Sequence, residues 1–216
     1  MNLVLRGEEV TDYREVEELT REAFYNHHVP GCDEHYLVHI MRDHQDFIAE
    51  LDYVAIDGDT IVGNIMYTRS RLVKDNGEEI IVLCFGPISV LPEYQGKGVG
   101  TQLIEHTKAL ARELGYRAIL IYGDPDYYMR VGFVPAETYH IGTAMDTYAD
   151  ALLAYELVQG ALADCAGRFF ESPVYEIDQR KVVSFEQTFA TKEKLSGTPS
   201  QERFMYLVKC HKPRTK

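Results

Sequence analysis

The sequence predicts an α+β fold organised around one mixed sheet. Two strand-rich segments flank an Asp-Gly turn, which marks an antiparallel hairpin. A long apolar strand then leads through a glycine-rich turn and an amphipathic helix into another strand. That order is a βαβ unit, whose two strands run parallel. The chain has 216 residues, 45% of them hydrophobic and 26% charged. That is ample material for a core and excludes wholesale disorder.

The elements follow in order. Asp12 and Glu15, spaced as a capping box, open a first helix on which Val16, Leu19 and Ala23 share a face. Between Tyr25 and Gln45 stand five histidines with weak periodicity, and a second helix is expected over Glu34 to Arg42. Tyr53 to Ile56 and Ile61 to Arg69 form the hairpin around Asp57-Gly58-Asp59, and Asp75-Asn76-Gly77 makes the next turn. Glu79 to Val90 is almost continuously apolar, as a strand covered on both faces should be. Gly86-Pro87 interrupts it. Proline cannot donate to a ladder, so a bulge or splayed edge is expected there.

Beyond Pro92, Leu103, Ile104, Thr107, Leu110, Ala111 and Leu114 share one face of a helix that stops at Gly115. Arg117 to Tyr122 is the second strand of the βαβ unit. Further on, Ala149, Leu152, Leu153 and Leu157 suggest a helix, Phe169-Phe170 and Val174 to Ile177 short strands, and Lys212 to Lys216 a frayed basic tail. Residues 1–145 are expected to form the main domain, and 146–216 a C-terminal α/β extension packed on it.

Charge and cysteine usage exclude several classes. Lys and Arg total 22 against 34 Asp and Glu, a net charge of −12 at pH 7. A chain this acidic is a poor partner for nucleic acid. No apolar run reaches the roughly 20 residues that span a bilayer, and the N-terminal segment lacks the pattern of a secretory signal, so no membrane partner is expected. Cys32, Cys84, Cys165 and Cys210 form no C-x-x-C pair. Neither a zinc site nor a disulfide framework is expected, and reduced thiols point to the cytoplasm.

Gln95-Gly96-Lys97-Gly98-Val99-Gly100-Thr101 joins a buried strand to a helix N-terminus. Glycines let backbone N–H groups face a ligand, and the first turn adds unpaired donors and a positive dipole end. Such a turn is an anion site, most naturally for phosphate or pyrophosphate. It lacks the P-loop pattern, and Thr101 stands where a dinucleotide fingerprint needs its third glycine.

The turn does fit [QR]-x-x-G-x-[GA]. It follows Val90-Leu91-Pro92, and a Y-x-x-x-G-F element stands at Tyr128 to Phe133. The segments FGPISVLPEYQGKGVG and YGDPDYYMRVGF together resemble the GNAT superfamily of N-acetyltransferases, in particular a bacterial subgroup with a G-D-P-x-Y-Y-x-R-x-G-F signature. The resemblance spans about residues 3 to 145. It departs at Ile121, where an asparagine is frequent in the family, and leaves Asp124 as a candidate contact to the pantetheine arm.

The resemblance implies an acyl-CoA N-acyltransferase fold, a mixed central sheet with a splayed parallel pair flanked by helices. It implies N-acetyl transfer from acetyl-CoA, as co-substrate, to a small-molecule or peptide amine. The pyrophosphate would lie on Gln95, Gly96, Lys97, Gly98, Val99, Gly100 and Thr101. The strand edge at Ile88, Ser89 and Val90 would bond the pantetheine amides, with the Val90 N–H a candidate oxyanion donor. Tyr128 is the candidate general acid for the leaving thiolate, because a phenol keeps its proton at neutral pH. Tyr127 is its alternative, or a wall of the thioester pocket.

For a general base the sequence offers Glu22, Glu34, His27 and His28, and each reads equally as a solvated or capping side chain. Cys84 reads as a buried structural thiol rather than a nucleophile. A non-catalytic acyl-CoA sensor would keep the turn and dispense with Tyr128. A homodimer is compatible with everything above.

Overall fold

The computed structural model describes residues 2–214. Strand β1 (Leu3–Gly7) was not signalled by the sequence, being a short edge strand with one side open. Helix α1 (Tyr13–Phe24) starts after a 3-10 turn at Val10–Asp12. Asp12 precedes α1 but does not cap it through its side chain. Its carboxylate accepts from the Glu9 N–H at 2.8 Å and from Arg6 at 2.5 Å. The capping box therefore closes one turn earlier than expected, because Arg6 on β1 supplies a charge that the α1 amides cannot match. Helix α2 (Glu34–Met41) packs against α1.

The hairpin of β2 (Tyr53–Asp57) and β3 (Thr60–Lys74) continues into β4 (Glu79–Val90), α3 (Val99–Glu113) and β5 (Ala118–Tyr122). After these come α4 (Pro125–Tyr128), β6 (Val134–Pro135), β7 (Ile141–Gly142), β8 (Thr147–Ala149), β9 (Leu152–Glu156) and β10 (Gly167–Phe170). Helices α5 (Gln179–Glu186) and α6 (Pro199–Lys209) and strand β11 (His211–Pro213) complete the described chain.

The main sheet runs β1-β2-β3-β4-β5-β9-β6, with β10 bonded to β3 and β7. The long strand β3 shares one edge between two partners: β2 pairs along Thr60 to Ile65 and β10 along Arg71 to Lys74. Strands β4 and β5 run parallel and are in register only at Leu83 and Ile119. Beyond that pair they part. The β3–β4 register shifts between Ile65 and Tyr67, opposite Gly86-Pro87, so the interruption expected there is a bulge.

Leu103, Ile104 and Ala111 of α3 belong to the same core cluster as Leu83, Ile119, Leu120 and Leu153 of the sheet. Leu114, placed on the same helix face by its spacing, is 47% exposed, because the helix ends there and Gly115 turns the chain away. On another flank Val16 and Leu19 of α1 cover Val54 and Ile61. Leu37, Val38 and Met41 of α2 cover Met66 and Val174.

The C-terminal third departs from the sequence reading. The apolar run expected as a helix is two strands, β8 and β9. Strand β9 pairs antiparallel with β5 over Leu152 to Glu156 and with β6, so it lies within the main sheet. The boundary expected at residue 145 consequently divides one sheet. Val174 to Ile177, expected as a strand, begins within a 3-10 turn at Pro173–Tyr175. The tail is not frayed through Arg214. Lys212 and Pro213 pair with β8, and the Arg214 side chain, 2% exposed, bonds Asp75, Asp146 and the His140 carbonyl. Thr215 and Lys216 lie outside the described residues. Among the described residues no helix is long and apolar enough to cross a membrane, and no cluster of side chains could hold a metal. All four cysteines are free thiols.

Candidate functional site

Where β4 and β5 part, a cleft of about 940 Å³ opens. The parting leaves one edge of β4 without a neighbouring strand beyond Leu83. One end of the cleft is the glycine turn. Gly96 and Gly98 hold φ of 70° and 85°, the left-handed region that glycine enters without a Cβ clash. Gly98 is the N-cap of α3, and no side chain caps it. The first amides of α3 therefore lie at the positive end of a 15-residue helix, facing the cleft. Gly100 is needed for close approach: a Cβ there would come within 2.6 Å of the Tyr127 hydroxyl.

The opposite wall is the turn from β5 into α4. Asp124 caps α4 by accepting from the Asp126 N–H at 2.9 Å. Tyr128 is wedged among Phe85, Tyr127 and Phe133, with ring centroids 5.8, 4.9 and 5.8 Å away. Burial pushes its phenol well above the ordinary tyrosine pKa, with Tyr127, Cys84 and Tyr67 adding to the effect. It therefore holds its proton at any physiological pH. Lys108, 1% exposed on α3, donates to the Val131 carbonyl at 2.5 Å and fixes the turn below Tyr128.

Most of the residues expected at the site line the cleft: Ile88, Val90, Gln95, Gly96, Gly98, Val99, Gly100, Thr101, Asp124, Tyr127 and Tyr128. Two do not. Ser89 is fully buried and its hydroxyl donates to Thr20 on α1 at 3.0 Å, because alternate residues of a strand face opposite ways. Lys97 is not among the lining residues, but its ammonium stands over the ring of Tyr94, which is, 5.4 Å from the centroid. The Gln95 amide bonds the Val90 carbonyl at 3.0 Å, so this side chain ties the turn to β4.

The Asp124 carboxylate is already occupied. Arg203 of α6 pairs with both its oxygens at 2.8 Å, and this pairing, more than the backbone bond from Asp126, holds its pKa below the usual carboxylate range.

The four candidate bases separate. Glu22 pairs with Lys192 at 2.7 Å and does not line the cleft. Glu34 lines it but meets His28 at 2.7 Å and the Asp33 N–H at 3.1 Å. His28 stacks on Phe204 of α6, centroids 4.6 Å apart. Burial, and then His28, lowers the pKa of His27. Cys84 is buried and its pKa is pushed well up by burial, so it is a thiol and not a nucleophilic thiolate.

The C-terminal third adds residues that sequence reasoning missed. Phe204, Glu171 and Tyr175 all line the cleft. The Tyr175 hydroxyl donates to the Gly86 carbonyl at 3.2 Å and so braces the bulge of β4. One signal for α6 was readable: Thr198-Pro199 with Gln201 is a capping box with proline at the first helical position.

Comparison with known proteins identifies the fold and the family. The family model for an acetyltransferase (GNAT) domain matches residues 47–135. The chain is 30% identical over 131 residues to the uncharacterised N-acetyltransferase YhbS of Escherichia coli K12, covering 61% of this chain and 76% of that protein. It is 36% identical over 74 residues to the uncharacterised N-acetyltransferase YjhQ of the same strain, a match spanning 34% of this chain and 40% of the relative. The crystal structure of E. coli YhbS in complex with CoA superposes with a TM-score of 0.72 at 24% identity, covering 82% of this chain and 93% of that one. A GNAT acetyltransferase from Brucella melitensis in complex with acetyl-CoA gives 0.63 at 24% identity, covering 81% and 98%.

Proposed function

Because the chain belongs to the GNAT acetyltransferase family, we propose that it moves the acetyl group of acetyl-CoA to a primary amine by direct attack. The observation that carries this reading is the single register pair between β4 and β5, with an uncapped, glycine-led helix N-terminus at the end of the gap. A phosphate-bearing thioester with an amide-containing arm fits such a gap. The pyrophosphate takes the amides of Gly96 to Thr101, with Arg130, which also lines the cleft, as a nearby cation. The arm lies along the free edge of β4 at Ile88 to Val90, bonding backbone amides as an added strand would.

Two groups then serve the chemistry. A backbone N–H of the same edge, that of Val90 first, meets the oxyanion as the amine adds to the thioester carbonyl. Tyr128 gives its proton to the sulfur as the C–S bond breaks. Tyr127 walls the thioester pocket and holds Gly100 at contact distance. Free thiols throughout the chain are in keeping with a reducing, cytoplasmic setting.

The test is calorimetric titration with CoA, followed by release of free thiol from acetyl-CoA across a panel of amines. Saturable CoA binding with amine-dependent thiol release is expected. A folded protein that binds no CoA overturns the reading. One that binds CoA but releases no thiol with any amine is a sensor and not an enzyme.

A further inference from the structure

The cleft carries three carboxylates, and their surroundings differ. Asp124 is paired with Arg203, and Glu34 meets the His28 ring nitrogen at 2.7 Å. Glu171 lines the same cleft, with no ion pair or hydrogen bond recorded to its carboxylate among the described residues. It directly follows β10, beyond the segment matched by the family model, and its surface opens into the cleft. Three titratable groups feel its charge: Cys84 on β4, Tyr122 at the end of β5 and Tyr175 in the 3-10 turn. None of these is a cation. Cys84 and Tyr122 flank the gap between β4 and β5, which places Glu171 beside the parting of the strands. Phe24, Leu37 and Phe204 also line the cleft, with His28 packed against both phenylalanine rings.

We propose that Glu171 receives the acceptor: its carboxylate pairs with an incoming ammonium and takes one proton from it. It thereby selects a monocationic primary amine carried on an apolar or aromatic arm. The proposal rests on the acetyl-transfer reading above. One uncompensated negative charge in an aromatic-lined pocket matches one positive charge on an apolar body. A second positive charge would find only carboxylates that already have partners, and would have to displace Arg203 from Asp124 or His28 from Glu34.

The step balances. The ammonium loses a proton to the Glu171 carboxylate, and the free amine adds to the thioester carbonyl. A C–N bond forms, the C–S bond breaks, and the thiolate takes a proton from Tyr128. The amide nitrogen returns one proton to the tyrosinate, and Glu171 releases its own to water. The product amide is neutral, so Glu171 no longer holds it.

Glu171 keeps solvent contact within the cleft, and partial desolvation there raises its pKa to about 7, which suits a group that must accept and release a proton near neutrality.

The experiment compares wild type with Glu171→Gln and Glu171→Asp, using phenethylamine and spermidine as acceptors and thiol release as readout. CoA affinity and melting temperature are measured separately. Phenethylamine should exceed spermidine in kcat/KM by about tenfold or more, roughly one charge left unanswered. Glu171→Gln should lose about a hundredfold in kcat/KM and the inflection near pH 7, while keeping CoA affinity. Glu171→Asp should recover part of the rate.

Melting temperature at pH 8 should be unchanged or higher in Glu171→Gln, since an unpaired carboxylate has been removed. A fall would mark the residue as structural and overturn the proposal. So would a Glu171→Gln enzyme with wild-type rate and pH profile, a preference for spermidine, or CoA binding with turnover of neither amine. Failure of wild type to bind CoA overturns the parent reading instead.

Discussion

The ring of Tyr128 lies against the Cα of Gly123: a Cβ at residue 123 would stand 2.2 Å from Cε2 of that ring. Glycine here is a steric requirement of the tyrosine's position. Gly123→Ala should push the ring out of its wedge between Phe85 and Phe133, costing about 1–3 kcal/mol of stability through overpacking. Acetyl transfer should fall about tenfold or more, in line with a misplaced catalytic group, while CoA affinity holds. Equal turnover in the folded variant would separate Tyr128 from the reaction.

Removing only the hydroxyl is the finer probe. Tyr128→Phe keeps the three ring contacts, so melting temperature and CoA affinity should stay near wild type. Turnover should drop about a hundredfold, the usual loss with a general acid. A single-turnover rate equal to wild type would transfer the role to Tyr127 or water.

The glycine turn separates strain from binding. Gly98 sits at φ 85° with open space around its Cα, so a side chain there meets no protein atom. Gly98→Ala should cost about 1–2 kcal/mol from the left-handed backbone and weaken CoA about tenfold, one lost charge-assisted contact. Gly77, at φ 88° and equally open, lies in a turn far from the cleft. Gly77→Ala should therefore carry the same strain with unchanged CoA affinity, and calorimetry on both variants distinguishes the effects.

Arg203 clamps α6 to the α4 turn through Asp124 and Asp126, both at 2.8 Å. Arg203→Ala should raise amide hydrogen exchange across residues 199–209 and leave β3 and β4 protected. Acceptor preference should broaden, because Phe204 on the same helix lines the cleft. Unchanged exchange in α6 would show that Thr198 and Gln201, which both donate to the Asn26 carbonyl, hold the helix without help.

Asp52 gives a pH dependence remote from the cleft. Burial first, then hydrogen bonding with Glu8 and its charge, hold the Asp52 pKa far above the ordinary value, so it is protonated at neutrality. The stability it contributes is full below the unfolded pKa, about 3.9, and is lost as pH rises through the raised folded value. Asp52→Asn copies the protonated form and can still accept from Asn64. Its melting temperature should match wild type near pH 5 and exceed it above pH 9. Parallel curves over that range would refute the assignment.

The first 145 residues were largely legible because their signals are local. Asp57-Gly58 sets a turn, Gly86-Pro87 a bulge, and Gly96 to Gly100 a helix entry. Ser89 shows where a motif misleads: strand alternation sends Ile88 and Val90 to the cleft and Ser89 to α1. Ala149, Leu152, Leu153 and Leu157 suggest a helix because Leu152 and Leu153 are buried on opposite faces of β9, which erases the period of two. Glu171 and Phe204 carry no local signal at all. Their place at the cleft comes only from long-range pairing of β10 with β3 and from the docking of α6.

That threading bears on how the protein is made. Strand β9 fills the gap between β5 and β6, which precede it, and β10 returns to β3, about a hundred residues earlier in the chain. A nascent chain that has emerged only as far as Phe133 already carries the glycine turn and Tyr128. It still presents β5 as an open, wholly apolar edge. Such edges recruit other strands, including those of neighbouring nascent chains. The finished cleft around Tyr128 thus waits on translation of the residues behind it. A ribosome stalled before β9 holds a fragment whose β5 edge is still open to pairing.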